Sequence, residues 1–488
     1  MQLLIIAIDG MSPELVFSNL DDFPNLKKLC ACGSFGAYDA YAYGYGSRDN
    51  WVSLYTGLTP QQHGVIGNLF RDTGRKPIVH DYLEQQPFWT MLNEKGISVG
   101  MWKGLVTTPP QKINGYMVGG EADFEIDGFR DPLHDVKPVF CAEDRELTRY
   151  ILGSIDEAPM PKTPADFGLT WEEIFRQPSL VEEILTEDYF SDGLGYLEKE
   201  LAYYASNIVN MQQHRPVNVL FFYTAVVDFL GHFQSHDPNK RILKEAVKLV
   251  DAFVGELLST LRPDTCIVLS DHGIEALSDE FPNTPEDIQR ESFGWRDKSV
   301  WLKNGQIVTR ARNQAFLSGL HSLKGCFIMA GKNIRHQALK NMRTIDFYPT
   351  LLEYFGVKIP EDRNGFVLDI FRNKEIINQD RLLREDRIKR ERIWLIQNME
   401  VPEFNRIINE VFLSHRFADI RVYCEDKYAS IFRGNQRVKE VKSIQSFNYT
   451  DLGFVDQVIT GYRNLITKEI RPLYLLDLAP NPERKVSG

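Results

Sequence analysis

The chain has 488 residues, 43% hydrophobic and 25% charged, a balance that gives a sizeable globular core and excludes disordered, collagen-like and membrane-bundle classes. Its 56 Lys and Arg against 67 Asp and Glu leave a net charge of -11, which opposes general affinity for nucleic acid polymers or anionic membranes. A phosphate-bearing small molecule stays open as a substrate wherever cations line a site. Six cysteines are too few for a disulfide scaffold in a chain this long. No apolar run reaches the roughly 18 residues that span a bilayer, and no basic leader precedes the first apolar run. The expectation is a soluble, cytoplasmic protein with no membrane partner.

Gln2 to Ala7 reads as a strand buried on both faces, delivering Asp9 and Gly10 at its carboxyl end. Ser12-Pro13-Glu14 then reads as a helix start, with Ser12 as N-cap. Further on, a tight turn around Ser47, Arg48, Asp49 and Asn50 enters a helix through Trp51, Val52, Leu54 and Tyr55. The Ser47 hydroxyl would be exposed beside a helix N-terminus, which favours negative charge and suits attack on a phosphoryl group. Taken alone, a serine before a helix is more often a plain N-cap.

Phe88 to Lys95 reads as a helix and Ile97 to Trp102 as a strand, while the turn-rich stretch Thr107 to Gly120 reads as a loop over the sheet edge. Pro132 to Ser191 loses periodicity and has the character of an inserted lid or substrate-facing subdomain. A long helix from Leu194 to Gln213 leads into the strand Val217 to Tyr223, past which Asp228 and His232 fall four residues apart, on one face if the turn is helical. Lys240 to Leu261 is amphipathic, and the strand Thr265 to Ser270 ends in Asp271, His272 and Gly273. A polar insertion from Glu275 to Ser318 precedes His321, the strand Gly325 to Ala330 and a helix from Ile345 to Phe355.

Strands alternating with helices predict an α/β fold with a mostly parallel central sheet, occupying residues 1–373 with insertions at about 132–191 and 275–318. The charged, helix-prone run from Arg381 to Phe412 opens a smaller α+β unit over residues 374–488, in which Asp419 to Gln436 and Lys439 to Thr460 alternate like antiparallel strands.

Asp9, Asp228, His232, Asp271, His272 and His321 all lie at or just past strand ends, as does Ser47. Three carboxylates and three imidazoles form a ligand set suited to two divalent cations of the zinc type, with positions open for substrate oxygens. Two such ions a few ångströms apart clamp the attacking and leaving oxygens of an in-line displacement.

The motifs AIDG around Asp9, Ser47 with TGLTPQQHG downstream, TTPPQKINGYMVGG, DFLGH, LSDHG, GLHSLKG and IDFYPTLLEYFGVKIPEDRNG together span roughly residues 1 to 370. In content and order they resemble the alkaline phosphatase superfamily, and within it the type I phosphodiesterase and nucleotide pyrophosphatase group. The ending YLLDLAPNPERKVSG after ITGYRNLI is similar to the C-terminal piece of sulfatase-like members.

The resemblance implies one metal site of Asp9, Ser47, Asp271 and His272 and a second of Asp228, His232 and His321, holding Zn2+ or alternatively Mn2+. It implies Ser47 as nucleophile, where the group commonly has threonine, and Asn50 as a contact to a non-bridging phosphate oxygen. Asp49 stands where the group usually has proline, a departure in the loop beside the nucleophile. Arg48 is a candidate for the same oxygens or for a structural ion pair, and His63 for packing support.

The expected activity is hydrolysis of phosphodiester or pyrophosphate bonds in small, nucleotide-like substrates through a phosphoseryl intermediate. A phosphomonoesterase or phosphotransferase would use the same ligands, and an inactive binding protein could keep them. A sulfatase is disfavoured, because the segment after Ser47 lacks the C/S-x-P-x-R pattern needed to form formylglycine.

Overall fold

A computed structural model supplies the architecture. The structure describes residues 1–40, 47–66, 69–70, 77–119, 140–153, 187–231, 241–276, 291–293, 298–303, 306–311, 319–322, 324–339, 342–363, 365–383, 392–396, 419–424, 426, 429, 438–446, 457–460 and 474–477.

The chain opens with β1 (Leu3–Ile8), helices α1 (Pro13–Ser18) and α2 (Pro24–Cys32), and β2 (Ser34–Asp39). Helices α3 (Ser47–Thr56) and α4 (Pro60–His63) follow, then the short pair β3 (Val65–Ile66) and β4 (Leu69–Phe70). Helix α5 (Phe88–Glu94) leads to β5 (Val99–Trp102) and β6 (Gly115–Val118). The long helix α6 (Glu187–His214) precedes β7 (Val219–Thr224), α7 (Val226–Gly231), α8 (Ile242–Leu261), β8 (Thr265–Leu269) and β9 (Gly273–Ala276). Past β10 (Glu291–Phe293), β11 (Lys298–Lys303) and β12 (Gln306–Ala311) come β13 (Gly319–Ser322), β14 (Lys324–Gly331), β15 (Gln337–Ala338) and α9 (Phe347–Tyr354).

Eight of these strands form one sheet in the order β15-β2-β14-β8-β1-β7-β5-β6. β1 pairs in parallel with both β7 and β8, and the β5 pairs are parallel too, whereas β14 runs antiparallel to β2 and β8. The two-residue period of β1 divides the core between the sheet's faces. Leu4, Ile6 and Ile8 join the cluster formed with α2, α6 and α8, while Leu3, Ile5 and Ala7 join the one formed with α3, α5 and α9. Helix α8 turns Ala246, Val247, Val250, Phe253, Val254 and Leu257 inward at helical spacing. Its Asp251 carboxylate accepts the Asn25 and Leu26 N–H groups, 3.1 and 2.7 Å away, and so caps the start of α2 from a distant helix.

The stretch Thr107 to Gly120, expected to be a loop throughout, contains the buried strand β6. Gly115 opens it at φ +126, and a Cβ there would lie 2.1 Å from the Val99 carbonyl oxygen, so the glycine serves close strand approach rather than a turn.

The chain divides into two compact units, one of Met1–Phe281 with Arg312–Leu383 and one of Pro282–Ala311 with Arg384–Gly488. In the second, β10, β11 and β12 form an antiparallel three-stranded sheet. It also holds β16 (Arg392–Ile396), β17 (Asp419–Cys424), β18 (Val438–Ser443), β19 (Gln457–Thr460) and β20 (Tyr474–Asp477), in the order β18-β17-β16-β19-β20. These pairs are parallel, not antiparallel as expected, because alternation reports which face is buried and carries no strand direction. Within the run expected to be helical, Arg392–Ile396 is instead a strand of the sequence RIWLI.

Candidate active site

Strands β8, β1 and β7 lie side by side, and their carboxyl ends deliver the site. Asp9 directly follows β1, Asp271 and His272 follow shortly after β8, and β7 runs into α7, which carries Asp228. The neighbours of β1 come from much later in the chain on both sides, the arrangement in which open α/β sheets hold ligands. His321 enters from β13, whose pairing sets it opposite Ile274 of β9, directly after the β8 ligands. Ser47 is the first residue of α3, a helix buried from Arg48 to Thr56.

The side chains converge. Ser47 Oγ lies 3.1 Å from Asp9 Oδ1 and 3.0 Å from His272 Nε2. His272 Nε2 is 3.3 Å from Asp9 Oδ1 and 3.2 Å from Asp271 Oδ2, while His321 Nε2 is 3.3 Å from Asp228 Oδ1. The imidazoles of His272 and His321 stack with centroids 3.6 Å apart. Two groups place one ligand atom per residue within 4.8 Å of one another: Asp9 with Asp271 and His272, and Asp228 with His272 and His321. His272 thus belongs to both. His232 lies outside the described residues, one position past the end of α7.

This donor set fits divalent cations on electrostatic grounds. Burial, then the neighbouring carboxylates, raises Asp9 above the ordinary carboxylate range and Asp271 well above it. Burial and the adjacent His321 push His272 down to about 4, so its imidazole is neutral. His272 Nδ1 sits 3.1 Å from the Gly273 carbonyl, which only accepts, so Nδ1 carries the proton and Nε2 presents a lone pair to two carboxylates. Both Asp271 oxygens are buried, and neither has a geometrically formed hydrogen bond among the described residues. Three acids and a lone pair facing one another are mutually repulsive, and a cation among them would be attracted by each and offset that repulsion.

Residues that sequence reasoning passed over hold these ligands. Tyr223 OH and Trp51 Nε1 both donate to Asp9 Oδ2, at 2.7 and 3.1 Å, leaving Oδ1 turned toward His272 and Ser47. Both read as core aromatics, and their rings do pack edge to face at 5.2 Å. Trp51 lies one helical turn after Ser47 and Tyr223 at the end of a strand beside β1, which is the only signal the chain gave. Removing the phenol donor by Tyr223→Phe is expected to weaken divalent-cation binding about tenfold with the fold intact, as calorimetry with Mn2+ would read.

Ser12, expected to cap α1, does not. Its hydroxyl donates to the Ile274 carbonyl at 2.8 Å and accepts the Ile274 N–H at 2.7 Å, tying the segment after His272 to the turn after Asp9. Ser270 likewise donates to the Met11 carbonyl at 2.7 Å and accepts the Cys326 N–H at 2.8 Å. His63 accepts the Val65 N–H on Nδ1 and lies 2.9 Å from Ser53 Oγ through Nε2, joining α3 to the segment after α4. Arg48, Asp49 and Asn50 are all buried in the first turn of α3, with the Asn50 N–H donating to Asp49 Oδ1 at 2.8 Å.

Residues 3–332 match the model of the family described as type I phosphodiesterase / nucleotide pyrophosphatase. A stretch of 112 residues, 21% of this chain, is 27% identical to ectonucleotide pyrophosphatase/phosphodiesterase family member 3 of Bos taurus and spans 13% of that protein's length. The family match takes in every residue of the converging cluster, from Asp9 to His321, and with it the chain belongs to the type I phosphodiesterase/nucleotide pyrophosphatase family.

Proposed function

We propose that the chain hydrolyses phosphodiester or pyrophosphate bonds of small, nucleotide-like substrates, with Ser47 as nucleophile at a site for two divalent cations. The observation that carries this reading is Ser47 Oγ, held within about 3 Å of Asp9 Oδ1 and His272 Nε2 beside the buried acids Asp9 and Asp271. Asp9, Ser47, Asp271 and His272 would hold one cation, and Asp228, His232 and His321 the other. The mixed carboxylate and imidazole donors suit Zn2+ best and also accept Mn2+. When bound, the cations supply the positive charge that favours an alkoxide and a hydroxide near neutral pH and that balances the leaving oxygen.

Ser47 Oγ gives up its proton to solvent water and forms a bond to phosphorus as the bond to the leaving oxygen breaks in line. The adduct on Ser47 keeps whichever ester group was not displaced. Water then attacks phosphorus from the side vacated by the leaving group, and Ser47 takes back a proton. Arg48 and Asn50, in the first turn of α3, supply hydrogen bonds to the equatorial oxygens, reinforced by the positive end of the helix.

The test compares bis-p-nitrophenyl phosphate with p-nitrophenyl phosphate on protein loaded with Zn2+ or Mn2+. The diester is expected to turn over faster. A strong preference for the monoester would replace this reading with a phosphomonoesterase on the same residues.

A further inference from the structure

The buried pair of Lys103 and Glu200 is not explained by the cluster itself. Lys103 Nζ lies 2.9 Å from Glu200 Oε1, with side chains only 8% and 1% exposed, and stands 5.0 Å from the centre of the Tyr204 ring. A buried ion pair is a weak source of stability, since an apolar pair of similar volume serves as well or better. What distinguishes this one is its other end. Glu200 Oε2 accepts a hydrogen bond of 3.0 Å from Thr224 Oγ1, at the last residue of β7. A carboxylate only accepts, so the Thr224 proton points to Glu200 and an oxygen lone pair is left for the Val226 N–H, 3.4 Å away at the start of α7. The Thr224 carbonyl in turn accepts the Asp9 N–H at 2.9 Å.

One residue therefore touches both halves of the site, holding the Asp9 backbone with its carbonyl and the base of the Asp228 helix with its hydroxyl. The tolerance there is small. Gly10 sits at φ +71, and a Cβ on it would meet Asp228 Cα at 2.6 Å, so α7 lies hard against the turn after β1. We infer that Lys103, Glu200 and Thr224 form a buried positioning relay that fixes the joint between β7 and α7 and thereby the placement of Asp228 against Asp9. Its consequence for catalysis rests on the two-cation reading above; the relay itself does not. Lys103 fixes the Glu200 side chain, Glu200 sets the direction of the Thr224 hydroxyl, and Thr224 sets the start of α7.

Thr224→Val removes the hydroxyl at nearly constant volume, and Thr224→Ser keeps it. In the full chain without cations, Thr224→Val is expected to speed amide hydrogen exchange at Val226 to Phe229 about tenfold while α8 exchanges as in the wild type. Calorimetry with Mn2+ is expected to read binding about tenfold weaker in Thr224→Val, with most of the loss restored in Thr224→Ser. Exchange at those amides within about twofold of wild type would overturn the relay, whatever the cations do. Wild-type protein that binds no Mn2+, together with faster exchange in Thr224→Val, would uphold the relay and sink the two-cation reading. Should Thr224→Val not fold, the double variant Lys103→Met/Glu200→Gln removes both buried charges; unchanged exchange at Val226 to Phe229 in it contradicts the inference and faster exchange supports it.

Discussion

Ser47→Ala is expected to lower turnover of the preferred ester by at least about 10³-fold while leaving cation content and melting temperature near those of the wild type. The size follows from the nucleophile's role, because removing the attacking oxygen deletes the covalent route and leaves only charge stabilisation and binding. The small structural effect follows from position. Ser47 begins α3, and the helix is held by its buried turns and by Trp51 and Tyr55 against Phe221. Atomic-emission analysis beside steady-state rates separates the two effects. An Ser47→Ala protein that keeps its activity would mean that another group attacks phosphorus.

Asp271→Asn is expected to act in opposite directions with and without cations. In chelated protein the wild-type carboxyl is fully buried near Asp9 and Asp228, so a neutral amide of the same shape removes repulsion and leaves the melting temperature unchanged or higher. With cation added, the wild type gains about 2.7 kcal/mol at a hundredfold excess over Kd. An unfolding entropy of about 2 cal/mol/K per residue makes that roughly 4 °C for the larger unit. Asp271→Asn is expected to lose most of this gain, because an amide oxygen carries no charge to meet the cation. Thermal melts with and without Zn2+ or Mn2+ read both signs. A variant less stable than the wild type when chelated, yet equally stabilised by cation, would remove Asp271 from the ligand set.

How much the sequence disclosed depended on how local the governing contact is. β1 was legible because an apolar run ending in Asp9 and Gly10 has one common structural meaning, and the same held for β8 ahead of Asp271. Ser12 was misread because its hydroxyl serves Ile274, 262 residues away, while its neighbours Pro13 and Glu14 signal a cap. Tyr223 and Trp51 were hidden for a related reason. An aromatic side chain that packs with its ring and donates with its tip looks like core until the acid it meets is placed. β6 was lost behind prolines and glycines that usually mark turns, although Gly115 is there to let β6 lie against β5. In the C-terminal unit the alternation of apolar residues located strands and gave no direction, so parallel pairing could not be read from it. Of the ligand types named from the sequence, the structure draws Asp9, Ser47, Asp228, Asp271, His272 and His321 together, and His232 falls outside the described residues.

The most direct test of the account is the chemical state of Ser47 during turnover. Zn2+- or Mn2+-loaded protein mixed with bis-p-nitrophenyl phosphate, quenched in acid within the first turnovers and digested, is predicted to yield the Ser47 peptide carrying a p-nitrophenyl phosphoryl group. An unmodified Ser47 peptide from enzyme that is visibly turning over, or the adduct on any other residue, would contradict it.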